Sequence, residues 1–236
     1  MNIVADLHTH TVASGHAADT IRTVCEKARQ KGLDGVAITD HGPGVPGGAN
    51  PIYFMALKRM LRGIETPVRK IAGIEEDISN VKGDLTLDDE VHRSLEIVTA
   101  GCHPYTWIAE QPMKVRTDAI INAVTRKNIQ ILTHPVASFC DFDLPAVIGA
   151  CTDAGVALEL NESKTEDVGT ILKFLEMCAK SGARIVLSSD AHVAEEVGTF
   201  HRGTSILKTA RFPEELVINR SSDAIESFFG IGLQVQ

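Results

Sequence analysis

Seven of the nine histidines in this 236-residue chain, with one glutamate and one aspartate, fall at or soon after predicted strand ends. The run opens with Asp6-Leu7-His8-Thr9-His10 and closes with Asp190-Ala191-His192. Side chains two apart on extended backbone point the same way, so His8/His10 and Asp190/His192 each offer two donors to one side. Neutral imidazoles with a few carboxylates form the donor set of zinc, iron or manganese. The spacing predicts a multinuclear metal site.

A lone His-x-His pair is weak evidence; recurrence gives it force. His41 follows Ile38-Thr39-Asp40, His103 follows Ala100-Gly101-Cys102, and His134 follows Leu132-Thr133. Pro104 and Pro135 come directly after His103 and His134, which favours extended backbone at each histidine and stops the strand. His16 stands in the loop Ser14-Gly15-His16. Glu75 follows Ile74 at a strand end, whereas Glu76 faces the other way by alternation, so Glu75 is the expected ligand. Asp6 is read as a ligand or as an outer acceptor fixing a histidine tautomer, and Asp40 as such an acceptor or a turn cap. His92 and His201, in polar surroundings, are expected to be solvated. Asn161, Lys164 and Arg202 are candidate contacts to a substrate, because donors of this kind bind phosphate.

These residues need a scaffold that gathers strand ends. Short apolar runs at 2–7, 35–39, 70–74, 96–101, 129–133, 156–160 and 184–188 read as strands. Helical patterns are clearest at 20–31, 117–127, 144–154, 168–181 and 222–229, and Gly32, Gly155 and Gly182 supply stop signals. Strand–helix alternation implies a parallel sheet with right-handed crossovers. An open sheet collects ligands at one switch point, whereas a barrel brings every C-terminal strand end to one mouth. Ligand candidates after six of seven strands therefore predict a distorted seven-stranded α/β barrel, TIM-like, as a single domain over 1–236. Segments 42–51 and 106–116 are expected to be mouth loops.

Composition sets further bounds. The net charge of −8 argues against a nucleic-acid surface, yet bound metals would make the site locally positive and attractive to a phosphate. Five cysteines without a Cys-x-x-Cys pair fit a reducing cytoplasm and inert thiols, with Cys102 turned away from the site if His103 faces it. No leader or membrane-length apolar run is read, so a cytoplasmic location is expected.

Together the motifs Asp6-Leu7-His8-Thr9-His10, Ile38-Thr39-Asp40-His41-Gly42, Gly73-Ile74-Glu75, Cys102-His103-Pro104, Thr133-His134-Pro135 and Ser189-Asp190-Ala191-His192 resemble the polymerase and histidinol phosphatase (PHP) family, and within it the small stand-alone phosphoesterases. The resemblance runs over essentially the whole chain. It implies a trinuclear site, usually zinc with iron or manganese substituting. His8, His10, Glu75 and Asp190 would hold one metal, with Glu75 bridging to a second held by His103 and His134. His16, His41 and His192 would hold the third. The implied reaction is hydrolysis of a phosphate monoester of a small molecule by a metal-bound hydroxide, in a chain for which a homo-oligomer stays open.

Three rival readings compete with this one. Histidinol-phosphate phosphatase is a near alternative within the family, though its members tend to be longer. A binuclear amidohydrolase also opens with His-x-His, but usually bridges its metals after the fourth strand, where this chain offers His103. A degenerate, non-enzymatic domain would show lost ligands, and none is lost here.

Overall fold

The computed structural model describes residues 1–126, 129–137 and 141–234. Seven strands follow one another in space as they do in sequence: β1 (Ala5–Asp6), β2 (Gly35–Ile38), β3 (Arg69–Asp77), β4 (Ile97–Gly101), β5 (Ile131–Leu132), β6 (Ala157–Asn161) and β7 (Ile185–Ser188). All six pairings are parallel. Among the described residues the helices are α1 (Ile21–Gln30), α2 (Pro51–Arg62), α3 (Asp89–Ser94), α4 (Met113–Thr125), α5 (Leu144–Ala154), α6 (Val168–Ser181), α7 (His201–Ala210) and α8 (Ser222–Phe229). The result is the expected distorted, nearly closed barrel.

Alternation along the strands sorts the core into two layers. Ala37, Ile71, Ile97, Ile131, Ala157 and Val186, with Ala5 and Leu7, form an inner cluster sealed below by Ile218, Ile225, Ile231 and Leu233. Residues of opposite parity, such as Ile38, Ile74, Val98, Leu132, Leu158 and Leu187, pack outward against the helices. Phe54 of α2 and Phe174 of α6 are fully buried there, each contributing about 1.5–3 kcal/mol of transfer free energy. Along the inner face the apolar floor gives way to chemistry two and four residues later: Ile71 leads to Glu75, Ile131 to Thr133, and Ala157 to Glu159 and Asn161.

Closure between β7 and β1 is incomplete as a ladder. A bridge joins Thr9 to Ala191, and the Asp190 and His10 N–H groups donate to His8 and Ala191 carbonyls at 3.0 and 2.9 Å. Lower down, buried Asn219 fills the place of a missing strand. Its Nδ2 donates to Ala5 and Leu187 carbonyls at 2.9 and 2.7 Å, and its Oδ1 accepts from Leu187 N–H at 3.1 Å.

Helix boundaries follow their caps. Thr20, Asn50, Asp143, Asp167 and Ser221 each accept a backbone N–H at an N-terminus, while Gly155 and Gly182 take left-handed C-cap positions (φ 71° and 73°). α5, α6 and α8 have the expected bounds. α4 begins four residues before the expected start, behind Pro112, and so takes in part of the 106–116 segment expected as loop. α2, α3 and α7 were not anticipated; α2 starts where the predicted 42–51 loop ends, with Asn50 capping and Pro51 at its first turn.

Candidate metal centre

Strand pairing continues past β2 to deliver the first ligands. Glu75 N–H donates to Asp40 O at 3.1 Å and Gly42 N–H to Glu75 O at 2.9 Å, which sets His41 directly beside Glu75. Glu75 is buried at the centre of the mouth. Its Oε2 lies 3.1 Å from His8 Nε2, 3.4 Å from His10 Nε2 and 3.1 Å from His41 Nδ1. Its Oε1 lies 3.1 Å from His103 Nε2 and 3.0 Å from His134 Nε2, and accepts from Thr133 Oγ1 at 2.7 Å. Asp190 Oδ1 stands 3.2 Å from His10 Nε2 and 3.6 Å from His8 Nε2. The rings of His16 and His192 stack 4.8 Å apart, with His16 also 5.0 Å from His41. All nine residues therefore converge; His16 is exposed and His192 half-buried, while the other seven are buried.

The surrounding bonds decide where protons sit. His8 Nδ1 donates to Glu159 Oε1 at 2.8 Å, and His103 Nδ1 to Asp77 Oδ1 at 2.9 Å. Ser14 gives its one hydroxyl proton to Asp40 at 2.7 Å, so it must accept from His10 Nδ1 at 2.9 Å. His8 and His10 thus turn their Nε2 atoms toward each other at 2.9 Å. His41 Nδ1, Glu75 Oε2 and His103 Nε2 are buried and make no hydrogen bond among the described residues. Imidazole nitrogens and carboxylates packed this closely away from water need positive charge between them, from protons or from bound cations. Four donors each about 2 Å from one ion stand about 3.3 Å apart, close to the His8–His10–Glu75–Asp190 spacings above. The donor set fits divalent metal, and three overlapping triads fit it separately: His8/His10/Glu75, His41/Glu75/His103 and His10/His41/His192.

Electrostatics follow the same partition. Burial works against ionised Glu75, but His8 and His103 above all overcome it and hold its carboxyl well below the usual range. Burial likewise opposes ionised Asp190, and His8 and His10 outweigh it. Desolvation of His103 is outweighed by Glu75 and Asp77, which lift it to about 10. At His41 burial wins over Glu75 and depresses the ring to about 3. His41 is therefore neutral at physiological pH, the state in which imidazole ligates metal, whereas His103 must give up a proton to ligate.

Comparison with known proteins agrees with this geometry. The PHP domain pattern matches residues 6–222. This chain belongs to the PHP family. A probable phosphatase of Caldanaerobacter subterraneus is 34% identical over 97% of this chain and 91% of its own length. A probable phosphatase of Shewanella sediminis is 34% identical over 97% and 94%. A histidinol phosphate phosphatase of Lactococcus lactis, solved with zinc, L-histidinol and phosphate, shares the fold with TM-score 0.63 at 18% identity, over 90% of this chain and 95% of that one.

Within this PHP chain several expected roles shift. His134 does not take the extended backbone that Pro135 favours; its φ is 38°, and its N–H is drawn to Glu159 Oε2 at 2.8 Å. Asp6 holds no metal donor position. Its carboxylate accepts from Ser189 and Gly198 N–H groups, tying β1 to the segment after β7. Asp40 acts as the outer acceptor, reaching His10 through Ser14, and also binds Thr11 and Tyr53. His92 is not solvated: its Nε2 lies 2.8 Å from Glu76 Oε1 on the outer face of β3, whereas His201 is exposed. Cys102 packs in the outer core, and Cys140 lies outside the described residues.

The three second-layer candidates differ. Asn161 Nδ2 donates to Glu159 Oε2 and Asp190 Oδ2 at 2.9 and 3.2 Å, while its Oδ1 accepts from Ser163. Lys164 Nζ is 3.4 Å from Asp190 Oδ2 and remains about a third exposed at 35%. Arg202 is exposed at the start of α7, its backbone N–H held by Glu162 Oε1 at 2.8 Å. Sequence reasoning missed Asp77, Ser14 and Thr133 as supports. Asp77 was legible, since it lies two residues beyond Glu75 and must share its face. Ser14 and Thr133 were not, because a hydroxyl carries no pattern of its own.

No helix among the described residues is long and apolar enough to cross a membrane.

Proposed function

We propose that this chain is a metal-dependent phosphatase that hydrolyses phosphate monoesters of a small molecule. The observation that carries this reading is the convergence of buried imidazole nitrogens on Glu75 from both sides of its carboxylate, His41 Nδ1 and His103 Nε2 among them without a hydrogen bond among the described residues. His8, His10, Glu75 and Asp190 would hold one ion, Glu75, His103 and His134 a second, and His16, His41 and His192 a third. Zinc is the preferred ion, with manganese and iron as substitutes. Divalent ions bound there would lower the pKa of water and polarise phosphoryl oxygens.

The chain's own side chains supply orientation and charge. Glu75 faces two donor groups at once, and Thr133 fixes the rotation of that shared carboxylate. Asp77, Ser14 and Glu159 keep Nδ1 protons on His103, His10 and His8, so that Nε2 faces inward. Lys164, at the rim beside Asp190, offers a cation to an incoming phosphate. Asn161 has its amide engaged within the protein and orients Asp190. Relatives of nearly equal length named probable phosphatase support the same reaction class.

The test is phosphate release across a panel of phosphorylated metabolites, histidinol phosphate included, with zinc, manganese or iron added. Release from one or a few monoesters, abolished by exhaustive chelation and restored by metal, is expected. Full activity after metal removal, or no release from any monoester in the presence of all three metals, would overturn the proposal.

A further inference from the structure

β6 carries none of the nine donors, yet its Glu159 reaches three segments that do. The carboxylate is fully buried. Oε1 accepts from His8 Nδ1 at 2.8 Å; Oε2 accepts from the His134 N–H at 2.8 Å and from Asn161 Nδ2 at 2.9 Å. That same Asn161 amide donates to Asp190 Oδ2 at 3.2 Å. One group is thus linked to the segments after β1, β5 and β7. Burying a carboxylate is costly unless donors surround it, and here three N–H groups do.

Two of those segments are strained. His134 and Asp190 have φ of 38° and 56°, left-handed values unusual outside glycine. Such a residue persists only where its surroundings over-determine it. Glu159 supplies the acceptor for the His134 N–H directly, and steadies Asp190 through Asn161.

We infer that Glu159 is a positioning residue of the proposed metal centre: it holds His8 with a proton on Nδ1 and its Nε2 turned inward, and clamps the strained His134 and Asp190 segments in the same gesture. The consequence for metal affinity rests on the metal-dependent reading above; the protonation site of His8 does not.

Glutamine at 159 keeps the shape and breaks the logic. Its amide has one oxygen and one NH2 group, against three incoming donors. If the oxygen faces His134 and Asn161, the NH2 confronts His8 Nδ1. The His8 proton then moves to Nε2, and that nitrogen can no longer ligate. Aspartate at 159 keeps acceptor chemistry on both oxygens at shorter reach.

The experiment reads histidine 15N and 1H resonances and zinc binding in the full chain, for wild type, Glu159→Gln and Glu159→Asp. In wild type a slowly exchanging proton is expected on His8 Nδ1, with or without zinc. Glu159→Gln should lose it and bind zinc about 10–100-fold more weakly, whereas Glu159→Asp should retain it with a smaller loss. A bare Nδ1 on His8 in wild type overturns the inference, as does unchanged zinc affinity in a folded Glu159→Gln protein. Should the glutamine variant fail to fold, the wild-type and aspartate spectra decide. Neither readout involves turnover: a chain that shows the Nδ1 proton and the zinc loss yet cleaves no phosphate ester overturns the phosphatase reading and leaves this one standing.

Discussion

The Ser14 hydroxyl donates to Asp40 Oδ1 at 2.7 Å, and that single bond dictates the proton on His10. Asp40 is buried and gathers further donors from Thr11 N–H, Thr11 Oγ1 and Tyr53 Oη, so Ser14 has no other orientation to adopt. Ser14→Ala should leave the fold intact, free His10 to change tautomer, and weaken metal binding about 10–100-fold. Isothermal titration with zinc, alongside circular dichroism, checks both halves. Unchanged affinity would show that His10 needs no such support.

Among the described residues Glu75 is the one carboxylate that faces five imidazoles. Glu75→Gln removes its charge and turns an NH2 group toward one of its two histidine sets. Metal content measured by elemental analysis should fall by at least one ion per chain, and phosphate release by more than about 100-fold, beyond the usual loss from an outer-layer change. Wild-type metal content in this variant would remove Glu75 from the centre.

The outer face of β3 carries a different pair. Glu76 Oε1 takes Leu87 N–H at 3.0 Å and His92 Nε2 at 2.8 Å, while its Oε2 is buried without a hydrogen bond among the described residues. His92→Ala leaves this carboxylate poorly satisfied and should cost about 1–3 kcal/mol. Because Glu76 points away from the mouth, metal content should not change. Denaturant unfolding and elemental analysis separate the two effects.

The buried thiols give a pH-dependent prediction. Desolvation lifts Cys25 from 9.0 to about 11 and Cys151 to about 12, and raises Cys178 too. At pH 8 roughly one Cys25 in a thousand is thiolate, so the native protein should resist alkylation at these positions until it unfolds. The unfolded chain loses these protons first as pH climbs, so stability should decline between about 9 and about 11. Peptide mapping after iodoacetamide treatment, and unfolding at stepped pH, are the checks. Rapid labelling of native Cys25 or Cys151 would contradict the burial argument.

Asn219 substitutes for backbone pairing at the barrel seam, serving the Ala5 carbonyl and both Leu187 polar groups. Asn219→Ala would strand these buried groups, at a cost of about 2–5 kcal/mol. Urea unfolding measures it; a loss below about 1 kcal/mol would mean that the seam closes by other contacts.

Most of the candidate site could be read from the chain because donor residues at strand ends come with a period and a flanking apolar run. Glu75 over Glu76 followed from alternation alone, and the structure turns them to opposite faces. His92 escaped the same reasoning because its partner lies on a different element, 16 residues earlier. The left-handed turn at His134 was hidden for a related reason: the local preference set by Pro135 yields to Glu159, which arrives from β6. Helix α2 was missed where Gly42–Gly48 composition masked a good start signal, Asn50-Pro51, immediately beyond it. Mouth glycines have their own demands. Gly15 sits at φ 81°, and a β-carbon there would meet Gly47 O at 2.5 Å, a close approach between two loops that no single-segment pattern encodes.

The seam at Asn219 also orders events during synthesis. Its partner Ala5 lies 214 positions upstream, so all of that intervening chain must leave the ribosome before this part of the seam can form. Until then β1 and β7 are open sheet edges, free to pair with another chain. A chain cut before Asn219 would therefore keep every candidate ligand but lack the lower lock of the seam.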